Sequence, residues 1–451
     1  MRICFIPIDN RPVCYNMAKD ICAIDEDIEL FIPPRELLGD LTKTAKVDEL
    51  FLWLKSIKEV DTFVVSLDTL IYGGLIPSRR EVYACGELEN RLSKLKDIIQ
   101  GKKVYAFSSI MRISNNNYNE EEKEYWKDWG KAIFKYSFTN ARENYGIPKE
   151  ILEDYLDTRK RNFEINKKLL KMQKDGLFDT LIFSKDDCAT RGFNVNEAKE
   201  LENLGGKTKT GADEIPLTLL ARAINKSISV YPVFTEPEYK DYVSNYEDVS
   251  ILDSVLGQLE LGGFKIAKSE EEADVVLLVN NFIEKQGELV MGWETSELNK
   301  KIKFPTKPYA IADVRFANGA DNEFVHQLLE NFNLDNFYGY AGWNTSANTL
   351  GSLLACVKVK YKAKKYNDLV FKKLQAIRFL DDWAYQANVR CMITQPCDIK
   401  SLMKPFEDKI KDLLNLDFKE TSYSYPWNRK FEIEVNTTIS KHNIYYDSIN
   451  T

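Results

Sequence analysis

Residues 180–187 read TLIFSKDD, a short apolar run that ends in two acidic residues. Strands of a parallel sheet are covered on both faces, so they appear in a sequence as continuous apolar runs. Eight further runs resemble this one, and segments with helical periodicity separate most of them. The nine predicted strands are RICFIPID (2–9), IELFIP (28–33), TFVVSLD (62–68), KVYAFSS (103–109), TLIFSKDD (180–187), SISVYPVF (227–234), DVVLLVNN (274–281), YAIADVRF (309–316) and FYGYAGWN (337–344).

The alternation of strands and helices predicts an α/β fold with a mainly parallel sheet. We interpret residues 1–365 as a TIM-barrel-like (β/α) catalytic domain, in which one of the nine runs lies outside the eight-stranded barrel. Residues 366–451 change to long helical patterns with one closing strand, and we interpret them as a mostly helical C-terminal extension. The alternative architecture is two doubly wound α/β lobes, divided near residues 215–226.

The composition is that of an ordinary globular protein. The 451 residues are 44% hydrophobic and 29% charged, with a net charge of −7. Nucleic-acid-binding proteins usually carry a basic field, so we expect no nucleic-acid partner. No stretch approaches the roughly 18 uncharged apolar residues of a membrane span, and we expect no membrane association.

The N-terminus and the cysteines favour a cytoplasmic protein. The opening MRICFIPIDNRPV has only a short apolar run before Asp9 and Arg11, whereas a signal peptide needs a longer one. The eight cysteines are scattered and form no CxxC pattern, which is typical of a reducing compartment. The sequence does not indicate an oligomeric state.

Histidine is nearly absent, since only His326 and His442 occur. A histidine zinc site or a Ser-His-Asp triad needs histidine in a suitable context, and neither residue has one. We therefore expect carboxylates to carry any acid–base chemistry, with no cofactor and no metal. No GxGxxG follows a strand and no GxxxxGK[ST] occurs, so dinucleotide and phosphate binding have little support.

Polar side chains follow most of the predicted strands at the point where the strand ends. Ligands of parallel α/β folds bind at the carboxyl ends of the strands, so we expect these side chains to form one pocket with aromatic walls. Helix caps and turns explain single Asp and Asn residues there, but not Arg112, Arg315 or Trp343. The expected substrate-binding residues are Asp9, Arg11, Asp68, Tyr72, Arg112, Asp213, Glu214, Asn280, Asp313, Tyr340, Trp343 and Asn344.

Asp186 and Asp187 are the expected catalytic residues. Two neighbouring carboxylates disfavour each other's ionisation, so one can stay protonated near neutral pH and serve in general acid–base catalysis. The alternative is an acidic turn in which one aspartate caps the next helix. Asp213 and Glu214 open a predicted helix, where acidic residues complement the helix dipole. The Asn run at 115–117 and EEEKEYWKDWGK (120–131) are interpreted as a solvated insertion.

Two resemblances bear on the function. The segments IPIDNRPV, LDTLIYGGLIPSR, FSKDD, GADE and YAGWNTSANTLG together resemble a bacterial family of unknown function, over nearly the whole chain. The strand that ends in Asp-Asp and the later aromatic-Trp-Asn element resemble the retaining β-N-acetylhexosaminidases of the O-GlcNAc-hydrolase and hyaluronidase type, which are barrels. The nine predicted strands and the RPV opening depart from that second group.

The second resemblance implies a substrate-assisted mechanism, in which the 2-acetamido group of the sugar attacks the anomeric carbon. By this resemblance Asp186 polarises the acetamido group and Asp187 is the general acid/base. Asn344 would bind sugar hydroxyls, and Trp343 or a nearby tyrosine, Tyr338 or Tyr340, would stack on the sugar.

We therefore expect a cytoplasmic retaining glycoside hydrolase that removes terminal β-linked N-acetylhexosamine, with N-acetylgalactosamine favoured. Its partner would be a carbohydrate substrate. A second hypothesis is a magnesium-dependent phosphoryl or carboxyl-group enzyme, with Asp9, Asp68, Asp186 and Asp313 as oxygen ligands. A third is a non-catalytic, two-lobed protein that binds a sugar or metabolite.

Overall fold

The structure is a computed structural model that describes residues 1–441, apart from the side chain of Cys85. His442 lies outside the described residues. The chain forms two compact units. The first unit contains Met1–Ala18, Ile28–Asn225 and Val243–Gly262, and the second contains Lys19–Asp27, Lys226–Tyr242 and the chain from Gly263 onward. No helix among the described residues is both long enough and apolar enough to cross a membrane.

The first unit is built on a six-stranded sheet in which all neighbouring strands are parallel. The strands are β1 (Arg2–Ile6), β2 (Glu29–Phe31), β3 (Thr62–Ser66), β4 (Val104–Ile110), β5 (Thr180–Lys185) and β6 (Thr208–Thr210). Their order across the sheet is β2-β1-β3-β4-β5-β6. Both β3 and β4 are buried along their whole length, which explains why their sequences are continuous apolar runs.

Helices connect and flank these strands. They are α2 (Val47–Ser56), α3 (Leu67–Tyr72), α4 (Leu75–Arg80), α5 (Cys85–Ile99), α6 (Trp126–Phe138), α7 (Lys149–Lys174), α8 (Phe193–Asn203), α9 (Ile215–Ala223) and α10 (Ile251–Leu261), and α1 (Asn16–Cys22) contains the boundary between Ala18 and Lys19. In α2, Val47, Leu50, Phe51 and Leu54 are buried, because the spacing i, i+3, i+4, i+7 places them on one face.

The second unit contains a five-stranded parallel sheet and an antiparallel pair. The parallel strands are β7 (Ser229–Phe234), β8 (Lys265–Ile266), β9 (Val275–Asn280), β10 (Tyr309–Asp313) and β11 (Phe337–Ala341), in the order β8-β7-β9-β10-β11. The antiparallel strands are β12 (Leu416–Ser424) and β13 (Glu434–Lys441). The helices are α11 (Asn322–Asn331), α12 (Ser346–Lys360), α13 (Asp368–Arg378), a π-helix (Phe379–Val389), α14 (Arg390–Met392) and α15 (Lys400–Leu414).

The prediction of an α/β fold with mainly parallel strands is confirmed, but the TIM-barrel-like domain is not. Both parallel sheets have two open edges, and no closed barrel is seen in residues 1–441. A continuous apolar run shows that a strand is covered on both faces, which is equally true in a barrel and in an open sheet. The expected boundary at 365/366 lies inside the second unit, whereas the first unit has a break at Asn225, within the alternative range of 215–226.

The strand order of each unit determines where a ligand is expected. If the parallel strands of each unit are numbered along the chain, both sheets begin with the order 2-1-3-4-5. The order therefore reverses between β1 and β3 in the first unit and between β7 and β9 in the second. Open α/β sheets bind ligands outside the carboxyl ends of the strands at such a switch point. In the first unit this position is flanked by Asp9, after β1, and Asp68, after β3, whereas Asp186 and Asp187 follow β5, two strands further along the sheet.

Candidate active site

Asp186 and Asp187 lie in the loop that follows β5, at the carboxyl edge of the first sheet. Their side chains are 13% and 33% exposed, respectively. The next helix, α8, begins after Gly192 and has no side-chain cap, so neither aspartate holds that helix start. The alternative of a capping acidic turn is therefore not what the structure shows.

Two arginines lie near Asp186, but neither donates a hydrogen bond to its buried oxygen. Arg112 Nη1 lies 3.6 Å from Asp186 Oδ2, and Arg79 Nη1 lies 3.7 Å from the same oxygen. Both distances exceed those of N–H···O hydrogen bonds, and this buried oxygen accepts none in the structure. Arg112 Nη1 is also 3.3 Å from Asp187 Oδ2. Asp186 thus has positive charge nearby and an acceptor that a ligand N–H or O–H group can use.

Glu121 and Glu122 complete the charge cluster, although sequence reasoning placed them in a solvated insertion. Glu122 Oε1 is 2.8 Å from Arg112 Nε and 3.1 Å from Arg79 Nε. Glu121 Oε2 is 2.9 Å from Arg112 Nη2 and 3.2 Å from Arg79 Nη2. We refer to Arg79, Arg112, Glu121, Glu122, Asp186 and Asp187 as the carboxylate–guanidinium cluster. It contains four acidic and two basic groups.

The cluster changes the proton affinity of both aspartates. Burial raises the pKa of Asp187 to about 7, the negative charge of Asp186 adds to this rise, and Arg112 opposes it. Burial also raises the pKa of Asp186, whereas Arg112 and Arg79 lower it. The exposed third of the Asp187 side chain lets water stabilise its anion, which limits the rise. Asp187 is therefore suited to exchange a proton near neutral pH.

Asp68 lies in the first turn of α3, just after β3, and is almost completely buried. Its Oδ2 accepts a hydrogen bond from the backbone N–H of Ser109, and Ser109 Oγ lies 3.1 Å from Ser184 Oγ. Burial raises the pKa of Asp68 to about 6, the hydrogen bonds from Ser109 lower it, and the charge of Asp186 raises it. The hydroxyl of Tyr72 is also buried and has no hydrogen-bond partner. Both residues lie in the interior of the first unit.

Arg11 joins the two remaining acidic groups of the first sheet edge. Its Nε donates to Asp9 Oδ2 at 2.8 Å, and its Nη2 donates to Asp213 Oδ1 at 2.7 Å. Ligand atoms of Asp9, Cys14 and Asp213 lie within 4.8 Å of one another, the spacing of a metal site. Because Arg11 already supplies the positive charge between the carboxylates, the group does not fit a resident cation. The negative charge of Asp213 nevertheless raises the pKa of Asp186.

The chain was compared with protein families and with known proteins. A family model described as "Protein of unknown function (DUF4127)" matches residues 3–436. The chain belongs to the DUF4127 family. No curated protein and no solved structure matches it. The family description names no activity.

In the first unit of the DUF4127 chain, the structure brings Asp186, Asp187 and Arg112 together, and it brings Asp9, Arg11 and Asp213 together. Glu214 is fully buried at the start of α9. Sequence reasoning missed Arg79, Glu121 and Glu122, because α4 and the loop after β4 do not look like strand ends. The only feature of the sequence that could have indicated Glu121 and Glu122 is that they follow Arg112 by nine and ten residues.

The other expected residues belong to the second unit, where a buried network holds Asn280, Asp313 and Tyr340. Asp313 Oδ1 accepts from Asn280 Nδ2 at 2.8 Å, and Asp313 Oδ2 accepts from the hydroxyl of Tyr340 at 2.9 Å. The ring of Tyr340 stacks on Phe379, with 4.6 Å between centroids. Trp343 is buried, and Asn344 follows it with a left-handed φ of 84°. These contacts give Asp313 and Tyr340 packing partners inside the unit itself.

We expect the Asp313 network to weaken as the pH rises. Burial and, to a lesser extent, the neighbouring Asp321 carboxylate raise the pKa of Asp313 to about 8. The unfolded chain ionises at the usual aspartate value near 4, so ionisation favours unfolding between about pH 4 and pH 8. Relative to Asp313→Asn, the wild-type unfolding free energy should fall by up to about 1.4 kcal/mol per pH unit across this window. Urea denaturation at several pH values measures it. Parallel pH profiles of the two proteins would contradict this assignment.

Proposed function

We propose that this chain is a retaining glycoside hydrolase that removes terminal β-linked N-acetylhexosamine, with Asp187 as its general acid/base. The pair at the end of β5 supports this proposal. Asp187 is one-third exposed and has a pKa raised to about 7, which suits a group that must both donate and accept a proton. Asp186 beside it has a buried oxygen that accepts no hydrogen bond.

In the proposed reaction, Asp187 donates its proton to the glycosidic oxygen while the acetamido carbonyl oxygen attacks the anomeric carbon. Asp186 accepts a hydrogen bond from the acetamido N–H, which makes the carbonyl oxygen more nucleophilic. The aglycone leaves as an alcohol, and the sugar remains as a cyclic oxazoline-type intermediate. Water then attacks the anomeric carbon, the bond from that carbon to the acetamido oxygen breaks, and water gives a proton to Asp187, so the acetamido group and the carboxylic acid are restored and the configuration is retained.

The charge of the cluster favours a neutral substrate. The carboxylate–guanidinium cluster contains two more acidic than basic groups, and Asp213 adds a further negative charge near Asp186. An anionic group placed among them would be repelled, whereas hydroxyl and amide donors find acceptors. N-acetylhexosamines carry such donors and no charge. Sulfated and uronic-acid sugars should therefore be poor substrates.

The magnesium hypothesis has less support from the contacts. Asp9 is paired with Arg11, and Asp68 is buried and bonded to Ser109. Asp313, the fourth expected ligand, belongs to the second unit and accepts hydrogen bonds on both oxygens. Oxygen ligands of Mg²⁺ need lone pairs that are available to the ion. A non-catalytic sugar-binding protein would use the same acceptors but would not need a proton exchanger at Asp187.

Aryl β-glycosides of N-acetylgalactosamine and N-acetylglucosamine test the proposal directly. We expect turnover of at least one of them, no change on addition of EDTA, and no detectable turnover of the aryl β-galactoside and β-glucoside, which lack the acetamido nucleophile. Activity lost with EDTA and restored by Mg²⁺ would support the magnesium enzyme instead. Tight sugar binding without any hydrolysis would leave the binding-protein hypothesis.

A further inference from the structure

The guanidinium group of Arg112 is held on all sides by carboxylates. Its Nε is 2.8 Å from Glu122 Oε1, and its Nη2 is 2.9 Å from Glu121 Oε2. Only Nη1 faces Asp186 and Asp187, at 3.6 Å and 3.3 Å. Because the guanidinium is planar and its N–H groups have fixed directions, two anchored nitrogens determine where the third one points.

Glu122 anchors this arrangement from the side. Its Oε1 also lies 3.1 Å from Arg79 Nε, so one carboxylate connects both arginines of the cluster. The Glu122 side chain is only 5% exposed and the Arg79 side chain only 2%. These two residues are therefore almost closed to solvent, in contrast to Asp187. Their contacts are with other members of the cluster.

We propose that Glu122 is a positioning residue, which orients Arg112 toward Asp186 and Asp187 together with Arg79, offsets part of the positive charge of both arginines, and so controls the protonation of Asp187. The inference deepens the proposed function, because it assigns the control of the general acid/base. The positioning itself does not depend on that function, since protonation can be followed without any substrate.

The charges around Asp187 determine whether a substitution at Glu122 raises or lowers its proton affinity. Four charged groups act directly on Asp187: Asp186 beside it, Arg112 after β4, Glu121 in the following loop and Arg79 in α4. Glu122→Gln keeps the size of the side chain and one acceptor oxygen. It removes the negative charge that lies next to Arg79 and Arg112. More of their positive charge then acts on the aspartates, which stabilises their ionised forms. We expect Asp187 to bind its proton about tenfold more weakly.

The experiment is a pH titration of the full chain with ¹³C-labelled aspartate carboxyls, followed by NMR. The Asp187 signal is assigned by its absence in Asp187→Asn. Glu122→Gln should shift the titration midpoint of Asp187 downward by about one pH unit, and Glu122→Asp should restore part of the wild-type value. Glu124→Gln is the matched control. It removes the same charge only two residues after Glu122, but the Glu124 side chain is 76% exposed. It should leave the midpoint unchanged.

A second variant keeps the proposal testable if Glu122→Gln does not fold. Arg112→Lys preserves the positive charge but lacks the planar group that reaches Asp187, so the midpoint should rise. A folded Glu122→Gln protein with an unchanged Asp187 titration would overturn the proposal, as would an Arg112→Lys protein without the rise. If the midpoints move as expected while no glycoside is hydrolysed, the positioning role stands and the proposed function fails.

Discussion

Asp187→Asn is expected to lower kcat for aryl β-N-acetylhexosaminides by about a thousandfold, while KM changes only a few-fold. Asparagine has nearly the same shape, but it cannot donate a proton to the glycosidic oxygen or accept one from water. The variant also lacks the ionisation near pH 7 that Asp187 provides. Its residual activity should therefore lose the corresponding limb of the pH profile.

The leaving group distinguishes lost acid catalysis from a general loss of structure. Dinitrophenolate leaves without protonation, so Asp187→Asn should be much less impaired on a dinitrophenyl glycoside than on a methylumbelliferyl one. Asp97→Asn, an exposed position on α5 of the same unit, is the control and should keep wild-type rates. If Asp187→Asn retains more than a tenth of the activity on the poorer leaving group, Asp187 is not the acid/base.

The fold class could be predicted from the sequence, but the sheet topology could not. The runs VVLLVN and TFVVS are buried at every position because helices and loops cover both faces of β9 and β3. Which strands become neighbours depends instead on contacts between distant segments. The first unit contains Val243–Gly262 in addition to its main segment, so the chain leaves this unit at Asn225 and later returns. The apolar pattern of a segment does not indicate which unit the segment joins.

The candidate site was predictable only where it follows the strands. Asp186, Asp187 and Arg112 lie just beyond β5 and β4, so their positions in the sequence indicate the carboxyl edge of the sheet. Arg79 comes from α4, a buried helix, and Glu122 comes from a loop that looks solvated in the sequence. Arg79 has no local signal, because the ion pairs that bury it join segments about forty residues apart, and the only signal for Glu122 is that it lies ten residues after Arg112.

The two units share a strand order, and each contains a buried aspartate oxygen that accepts no hydrogen bond, Asp186 Oδ2 in the first unit and Asp382 Oδ1 in the second. In the second unit Asp313 accepts hydrogen bonds on both oxygens, and Glu236 pairs with Arg315 and Lys300. In the first unit Asp186 has no hydrogen bond to its buried oxygen. A buried polar group without a partner costs free energy, and a bound ligand, water or ion is one way to complete it. Asp186 lies beside the partly exposed Asp187, whereas Asp382 is fully buried, so the open acceptor of the first unit is the one that a ligand from solvent can reach.

Asp382→Ala should cause the largest loss of stability among the single substitutions considered. Asp382 lies within the π-helix and is fully buried, and its Oδ2 is 2.7 Å from both Arg378 Nη2 and the backbone nitrogen of Gly342. Alanine removes the carboxylate and leaves the buried arginine charge without this partner. Breaking a buried ion pair in this way costs about 3–5 kcal/mol of unfolding free energy.

Urea denaturation measures this loss, and hydrogen exchange at the Gly342 amide localises it, because that N–H loses its acceptor. Asp408→Ala is the control in the same unit. Asp408 pairs with Lys404 on the surface of α15, where both side chains are about 60% exposed, so its removal should change the stability little. Asp382→Asn keeps an oxygen for the Gly342 amide and should lose less than Asp382→Ala. Equal, small losses of stability for the variants at 382 and 408 would show that burial does not strengthen the Asp382–Arg378 pair. In that case Asp382 does not hold the π-helix to Gly342 at the end of β11.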